Sequence, residues 1–168
     1  MQKAELDERF SELYRTHLRD VYSYARYRLR HHQDAEDLTE QTFLQAYRHF
    51  ERALAESRGR PLRPWLIRIA HNLVANRYRD RARGRTEPLD EELPGAGDVA
   101  QLVSDRDELA HVLRGVMQLP DDRREALIMR FALGMDNREI ARALGRSDGA
   151  TKVLIHRAIR QLERIVSE

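Results

Sequence analysis

Apolar residues recur every three or four positions along most of this chain, which is the period of an amphipathic α-helix. The first stripe predicts a helix from about residue 7 to 31. A second helix is expected from about Asp34 to Phe50, and a third from Trp65 toward Arg83. The first stripe consists of Phe10, Leu13, Tyr14, Leu18, Val21, Tyr22, Ala25 and Leu29, and the second of Phe43, Ala46, Tyr47 and Phe50.

Two stretches rich in proline and glycine interrupt this pattern. The segment ALAESRGRPLRP, before Trp65, is expected to be a loop. The segment from Gly84 to about Asp105 combines proline, glycine and dense acid, which is typical of a flexible linker. A last cluster of helices is predicted after it. The expected fold is therefore all-α, with two small helical domains at 1–84 and 107–168 joined by a flexible acidic linker at 85–106.

The C-terminal part, from Leu119 to Ile165, has the pattern of a helix-turn-helix. Asp136 and Glu139 have the spacing of a capping box, so a short helix should begin at Asn137. Gly145 lies where such a helix ends through a left-handed residue, and Ser147 can cap the next helix.

The second helix of this motif is predicted to bury one side and expose a basic one. Its expected inward residues are Thr151, Ile155, Ala158, Leu162 and Ile165, and its outward ones Lys152, Val153, His156, Arg157 and Arg160. A major groove admits one helix, its phosphates attract cations, and its base edges can be contacted by arginine or apolar groups. Duplex DNA is the leading candidate partner. The alternative is a helical hairpin whose basic side chains are merely solvated.

Charge is distributed very unevenly along the 168 residues, although the net charge is only +2. The net charge is −2 over 1–57, +8 over 58–85, −7 over 86–108 and +3 over 109–168. Such segregation predicts different partners for different segments. Arginine supplies 28 of the 30 cations, which suits phosphate recognition but also fits a GC-rich genome.

Several classes of chemistry are disfavoured by composition. The chain has no cysteine, which excludes disulfides and thiol nucleophiles. It has no apolar run near the roughly 18 residues of a membrane span, and no secretion signal is expected, so we predict a cytoplasmic protein. The cluster His31, His32, Asp34 and Glu36 crosses a helix junction and is not expected to bind metal. Without a phosphate loop or nucleophile motif, we predict no cofactor, no small-molecule substrate and no enzyme activity.

Three strings resemble segments of bacterial sigma factors, in the same order along the chain. DAEDLTEQTFLQAY, from Asp34, resembles the segment that binds core RNA polymerase. WLIRIAHNLVANRYRDRAR, from Trp65, resembles the helix that melts promoters and reads the −10 element. SDGATKVLIHRA, from Ser147, resembles the helix that reads the −35 element. With only these two regions and a short linker, the chain resembles the extracytoplasmic function (ECF) subfamily.

This resemblance implies a role for each domain. Residues 1–84 would form a region 2-like domain and 107–168 a region 4-like domain. Contacts with the clamp of core polymerase are expected from Asp34, Glu36, Asp37, Glu40, Gln41 and Phe43. Contacts with the −10 DNA are expected from Arg60, Arg63, Trp65, Arg68, His71, Asn72, Asn76, Arg77 and Arg79. Contacts with the −35 DNA are expected from Arg146, Ser147, Lys152, Val153, His156 and Arg157.

The expected partners are core polymerase, duplex and single-stranded promoter DNA, and an anti-sigma factor. Trp65 is either a platform on which an unstacked base rests or a core residue. A different interpretation is a free-standing helix-turn-helix regulator that binds duplex DNA without polymerase, with residues 1–83 as a dimerisation or sensing domain. A duplex-binding regulator would not need the aromatic, arginine-rich helix after Trp65, so this helix separates the two hypotheses.

Overall fold

All regular structure in the described residues is helical. The computed structural model describes residues 1–84 and 106–168, so the predicted linker at 85–106 lies almost wholly outside them. The all-α class and the C-terminal helix-turn-helix are confirmed. The N-terminal unit contains α1 (Lys3–Arg28), α2 (His32–Ser57) and α3 (Arg63–Gly84). The C-terminal unit contains α4 (Arg106–Met117), α5 (Asp121–Leu127), a π-helical turn (Ile128–Ala132), α6 (Asn137–Leu144) and α7 (Asp148–Ser167).

The helix boundaries in the N-terminal unit differ from those predicted by the apolar pattern. Helix α1 begins four residues earlier than predicted and ends at Arg28, and α2 continues to Ser57 through part of the predicted loop. Ala53 is buried one turn after Phe50, so it extends the apolar face of α2. The helix ends where Arg58 and Gly59 adopt positive φ angles of 50° and 80°.

The N-terminal unit is a three-helix bundle in which each helix contacts the other two. Its aromatic packing is edge-to-face: the Phe10 ring centroid lies 5.2 Å from that of Phe50 and 6.4 Å from that of Phe43. Such pairs add to the apolar burial that holds the helices together. The largest fully buried side chains in this bundle are Val21, Tyr24, Leu38, Thr42, Phe50, Leu66, Ile67 and Val74.

The C-terminal unit is built around α7, which contacts α4, α5 and α6. Leu119, Leu127 and Ala158 form a small buried cluster with Leu162 and Ile165 packed against it. The predicted inward residues Thr151, Ile155 and Ala158 are buried, and Leu162 and Ile165 are half-buried. Leu154 is also buried, which the predicted stripe did not include.

The two units pack against each other through a shared apolar core. Helix α3 lies against α6, and α1 lies against the π-helical turn. Met129, Met135 and Ile140 of the C-terminal unit belong to the same buried cluster as Leu66 and Ile67 of α3. The described residues of the two units therefore pack as one body.

Candidate functional site

The turn of the helix-turn-helix is fixed by local hydrogen bonds. Asp136 Oδ1 accepts from the backbone N–H of Glu139 at 2.9 Å, and the Glu139 carboxylate accepts from the Asp136 N–H at 3.5 Å. This pair is the predicted capping box of α6. Gly145 ends α6 with a φ of 67°, and the Ser147 hydroxyl accepts from the N–H of Ala150 at 3.1 Å. Both caps confirm the sequence prediction and set the direction in which α7 leaves the turn.

Helix α7 presents a continuous exposed face. Lys152, Val153, His156 and Arg157 are exposed, and the side chains between them point into the core. Val153 is 48% exposed, so this face carries one apolar side chain among the basic ones. Arg146 and Ser147 are also exposed at the start of the helix, and Arg146 lies 3.4 Å from the carboxylate of Asp122. The geometry brings all six predicted −35 residues to one end of the C-terminal unit.

Part of the predicted −10 set is exposed on α3. Asn72, Asn76 and Arg79 follow one another at about one helical turn, and the Arg79 guanidinium donates to Asn76 Oδ1. Arg77 is half-buried and donates to the backbone oxygen of Asp34 at 3.4 Å. Arg60 is exposed in the loop before α3. Asn72, Asn76 and Arg79 therefore form a polar and cationic track along the exposed side of α3.

The rest of the −10 set faces the C-terminal unit. Arg63 donates to both carboxylate oxygens of Glu139, at 2.9 and 3.0 Å, and to the backbone oxygen of Leu133 at 3.0 Å. The Arg68 guanidinium lies so close to Gly145 that a Cβ added there would approach it to 3.2 Å. Trp65 is half-buried and packs against the core.

The predicted polymerase-docking residues lie on the first turns of α2. Glu36, Glu40 and Gln41 are exposed, whereas Asp34 and Asp37 are half-buried. Phe43 differs from them, because it is 5% exposed and contacts Phe10 and Tyr14 edge-to-face.

Beside these residues, an apolar groove of about 770 Å³ runs between α1 and α2. Leu44 and Tyr47 are 55% and 43% exposed beside it, and Glu36 and Glu40 form part of its wall. Leu44 was not among the docking residues predicted from the sequence; the available signal was its position as an apolar residue outside the stripe of Phe43 and Phe50. The further lining residues are Phe10, Tyr14, Leu18, Arg19, Tyr22, Thr39 and Phe43.

A buried ionic cluster lies where the two units meet, and sequence reasoning missed it. Arg28 Nε lies 2.6 Å from Glu125 Oε1, an ion-pair distance at which its N–H is not aligned as a hydrogen bond. The Tyr24 hydroxyl donates to the same oxygen at 2.9 Å, and His71 Nδ1 lies 3.3 Å from it. The residues Arg28 and Glu125 are 4% and 1% exposed.

The cluster changes the acid–base behaviour of its members. Burial raises the pKa of the Tyr24 hydroxyl well above its ordinary value, and the negative charge of Glu125 adds to the effect. Burial lowers the pKa of Arg28, but the charges of Glu125 and Tyr24 outweigh it and the pKa is raised. One signal in the sequence could have indicated this cluster, namely a charged residue on an apolar helix face. Arg28 follows Val21, Tyr24 and Ala25 at helical spacing.

Comparison with protein families identifies both units. A family model described as Sigma-70 region 2 matches residues 13–84, and one described as Sigma-70, region 4 matches residues 111–162. The three-helix bundle and the helix-turn-helix therefore correspond to two regions of one class of transcription initiation factor, the sigma-70 factors.

Individual relatives show which subfamily of sigma-70 factors this chain resembles. The chain is 34% identical over 95% of its length to the ECF RNA polymerase sigma factor BldN of Streptomyces coelicolor, and spans 61% of that protein. It is 27% identical over 92% of its length to the ECF RNA polymerase sigma factor SigM of Bacillus subtilis, and spans 93% of it. The chain belongs to the ECF sigma factors.

A solved structure shares the arrangement of helices. CnrH, in complex with the cytosolic domain of CnrY, superimposes with a TM-score of 0.67 at 27% identity, covering 96% of this chain and 89% of CnrH. Among the helices of the described ranges, none has the length and apolar character needed to cross a membrane.

Proposed function

We propose that this chain directs core RNA polymerase to promoters, recognising −10 and −35 elements and assisting strand opening. The observation that carries the proposal is the pair of matched units, each with an exposed basic face, in the order found in sigma factors. A free-standing regulator would need only the helix-turn-helix, and the match of residues 13–84 to region 2 argues against that alternative.

The exposed face of α7 suits the major groove of the −35 element. Its cations can contact phosphates, and Val153 can contact a thymine methyl group. Because the two caps fix the start of α7, this face is held in a defined direction relative to α6.

The track on α3 suits a separated strand of the −10 element. Asn72 and Asn76 offer donors and acceptors for base edges, and Arg79 can contact phosphate. Binding to an exposed strand offsets the lost base stacking, so the protein only has to favour the melted state over the closed duplex.

The first turns of α2 and the neighbouring groove suit a docking role on polymerase. Exposed acids at Glu36 and Glu40 lie beside apolar side chains at Leu44 and Tyr47, a mixture of the kind found at protein interfaces. The charged rim would set the rate and specificity of association, while the groove supplies apolar contact.

Reconstituted transcription tests the proposal. Core polymerase is mixed with the chain and a library of promoter fragments from the source genome, and the 5′ ends of the transcripts are sequenced. We expect transcripts that begin at a fixed distance from a shared pair of sequence elements. Binding of the free chain to a duplex operator as tightly as that of the holoenzyme, with no effect on transcription start sites, would favour the regulator instead.

The same proposal includes the location of the protein, its lack of catalytic activity and one further partner. The protein acts in the cytoplasm, where polymerase and promoters are, and it performs no catalysis of its own. An anti-sigma factor is proposed as a further partner, because the similarly folded sigma factor RpoE from Bartonella quintana is solved in complex with the anti-sigma factor NepR. Loss of polymerase binding upon addition of that factor, measured by pull-down, is the expected result.

A further inference from the structure

The distal turns of α3, residues 75–82, are held by polar contacts rather than by buried apolar side chains. Val74 is the last buried residue of this helix as far as Ala82, where its described side chains end. A helix in a protein owes most of its stability to the packing of one apolar face. The distal turns therefore need other contacts to stay in place, and they carry Asn76 and Arg79 of the proposed −10 track.

Three side chains of the distal turns reach the segment where α1 ends and α2 begins. The Tyr78 hydroxyl donates to the backbone oxygen of Arg28 at 2.8 Å. Arg77 donates to the backbone oxygen of Asp34 at 3.4 Å, and Arg81 lies 3.5 Å from the Asp34 carboxylate. Helix α1 ends at Arg28, so the carbonyl groups of its last turn need partners outside the helix, and Tyr78 supplies one.

Arg77 and Arg81 lie on the other side of α3 from the −10 track. An α-helix turns by about 100° per residue, so Asn72, Asn76 and Arg79 lie within about 60° of one another around the axis. By the same geometry, Arg77 and Arg81 lie about 140° and 180° from Asn72. Side chains that contact α2 from the far side of the helix are poorly placed to bind the same DNA strand.

We propose that Arg77 and Arg81 are positioning residues, which fix the −10 track of α3 relative to the polymerase-docking turn of α2 through their shared partner Asp34. The inference rests on the proposed function, because a fixed track matters only if the chain binds DNA and polymerase together. It gives Arg77 a different role from the DNA contact expected from sequence, and Asp34 a different role from the expected polymerase contact.

Asp34 is suited to this role because it belongs to the docking turn and faces α3. Its side chain is 31% exposed, whereas those of Glu36 and Glu40 in the same segment are exposed and free of α3. Its negative charge is also favourable in the first turn of α2. A single exposed ion pair contributes little to stability. Here the backbone and the carboxylate of one residue are both held, so the orientation of α3 is fixed as well as its distance.

The two possible roles of the arginines predict different effects of Asp34→Ala. If the arginines bound DNA phosphates, removing a neighbouring acid would leave strand opening unchanged or increase it. If they position α3, the same change loosens the track and reduces strand opening. The second variant is Arg77→Met with Arg81→Met, since methionine keeps an apolar stem and has about the helix propensity of arginine. Its matched control is Arg48→Met with Arg52→Met, at exposed positions of α2.

Hydrogen exchange of the free full-length chain tests the positioning role without DNA or polymerase. We expect the amides from Asn76 to Ala82 to exchange at least about threefold faster in Asp34→Ala and in the Arg77/Arg81 variant than in the wild type, because local opening is easier. The control should exchange like the wild type. A side chain that only contacts DNA phosphates would leave exchange unchanged in this experiment.

Permanganate reactivity of unpaired thymines measures strand opening by the holoenzyme. Pull-down first establishes the concentration of core polymerase that saturates each variant, so that altered docking does not affect the comparison. We expect about fivefold fewer open complexes with Asp34→Ala and with the Arg77/Arg81 variant. Combining all three changes should cause little further loss, because the effects of residues in one contact are not additive.

Three results would overturn the proposal even if the wild type directs transcription. These are unchanged hydrogen exchange in both variants, unchanged or increased strand opening with Asp34→Ala, and additive losses in the combined variant. A wild-type chain that opens no promoter with core polymerase would reject the proposed function instead. The exchange measurement would then still decide whether Arg77 and Arg81 hold α3 in place.

Discussion

Neighbouring side chains on α7 have different chemistry and so should have different effects on DNA binding. Lys152 and Arg157 carry charge and suit phosphate contacts, which strengthen binding to any sequence. Val153 lies on the same exposed face without charge, so a contact with a thymine methyl would affect sequence preference and leave the salt dependence unchanged. Affinity and specificity are thus separable on this helix.

Replacing Lys152 and Arg157 by alanine tests the charged part. We expect weaker binding of holoenzyme to −35 DNA, and a log–log salt dependence whose slope falls by about 1 for each phosphate that the variant no longer binds. Anisotropy at several potassium chloride concentrations measures both. Arg164→Ala, on the last turn of the same helix, is the control and should leave the slope unchanged. Identical slopes in all variants would show that Lys152 and Arg157 do not contact DNA phosphates.

The capping box of α6 is expected to stabilise the fold and also to keep the first turn of that helix ordered. Asp136→Ala removes the side chain that accepts from the Glu139 N–H and should reduce stability by about 1 kcal/mol. Asp136→Asn preserves an acceptor and is the control. We expect faster hydrogen exchange at the start of α6 in the alanine variant only, and equal exchange in both variants would contradict the assigned cap.

The first turns of α2 form the second element that can be tested separately. Asp37→Lys with Glu40→Lys reverses two charges at the proposed docking surface without touching the core. We expect at least about a tenfold loss of affinity for core polymerase, since rim charges govern association. Pull-down with purified core measures it, with Glu51→Lys and Glu56→Lys further along α2 as control. Unchanged affinity would place the docking surface elsewhere.

The C-terminal elements were predicted well from sequence because their signals are local. The capping box, Gly145 and Ser147 lie within 12 consecutive residues, and the period of α7 separates its buried from its exposed side chains. The end of α2 was missed because the prolines of the next loop outweighed the apolar character of Ala53 and Leu54. Which site residues touch DNA or polymerase stays a prediction.

The contact between the two units could not be predicted from the local pattern of apolar and polar residues in the sequence. The Tyr24 and Glu125 side chains that meet at 2.9 Å are 101 residues apart in the chain. Each is polar, and the apolar stripes predicted from the sequence included neither of them, so their burial was missed together with their contact. Only the folded arrangement shows that the two charges at positions 28 and 125 compensate each other.

The pH dependence of the free energy of unfolding reports on the contact between Tyr24 and Glu125, where the two units meet. The pKa of Tyr24 is raised in the folded state, so its contribution is complete below about pH 10, the ordinary tyrosine value, and is lost as pH rises further. Urea unfolding between about pH 8 and 11 should show a steeper loss in the wild type than in Tyr24→Phe. The variant should also lose about 1–3 kcal/mol at neutral pH, where its hydrogen bond to Glu125 is missing. Tyr14→Phe, at an exposed position, is the control. Equal slopes in all three chains would contradict the assigned burial of the hydroxyl.

The buried guanidinium of Arg28 limits how freely regions can be exchanged between related sigma factors. A hybrid that joins residues 1–84 of this chain to a foreign region 4 without an acid at the position of Glu125 would place an unmatched cation in a buried junction. Such a hybrid would resist closing, however well each half folds. Engineers who recombine promoter specificities from this family should therefore transfer the acid together with the recognition helix.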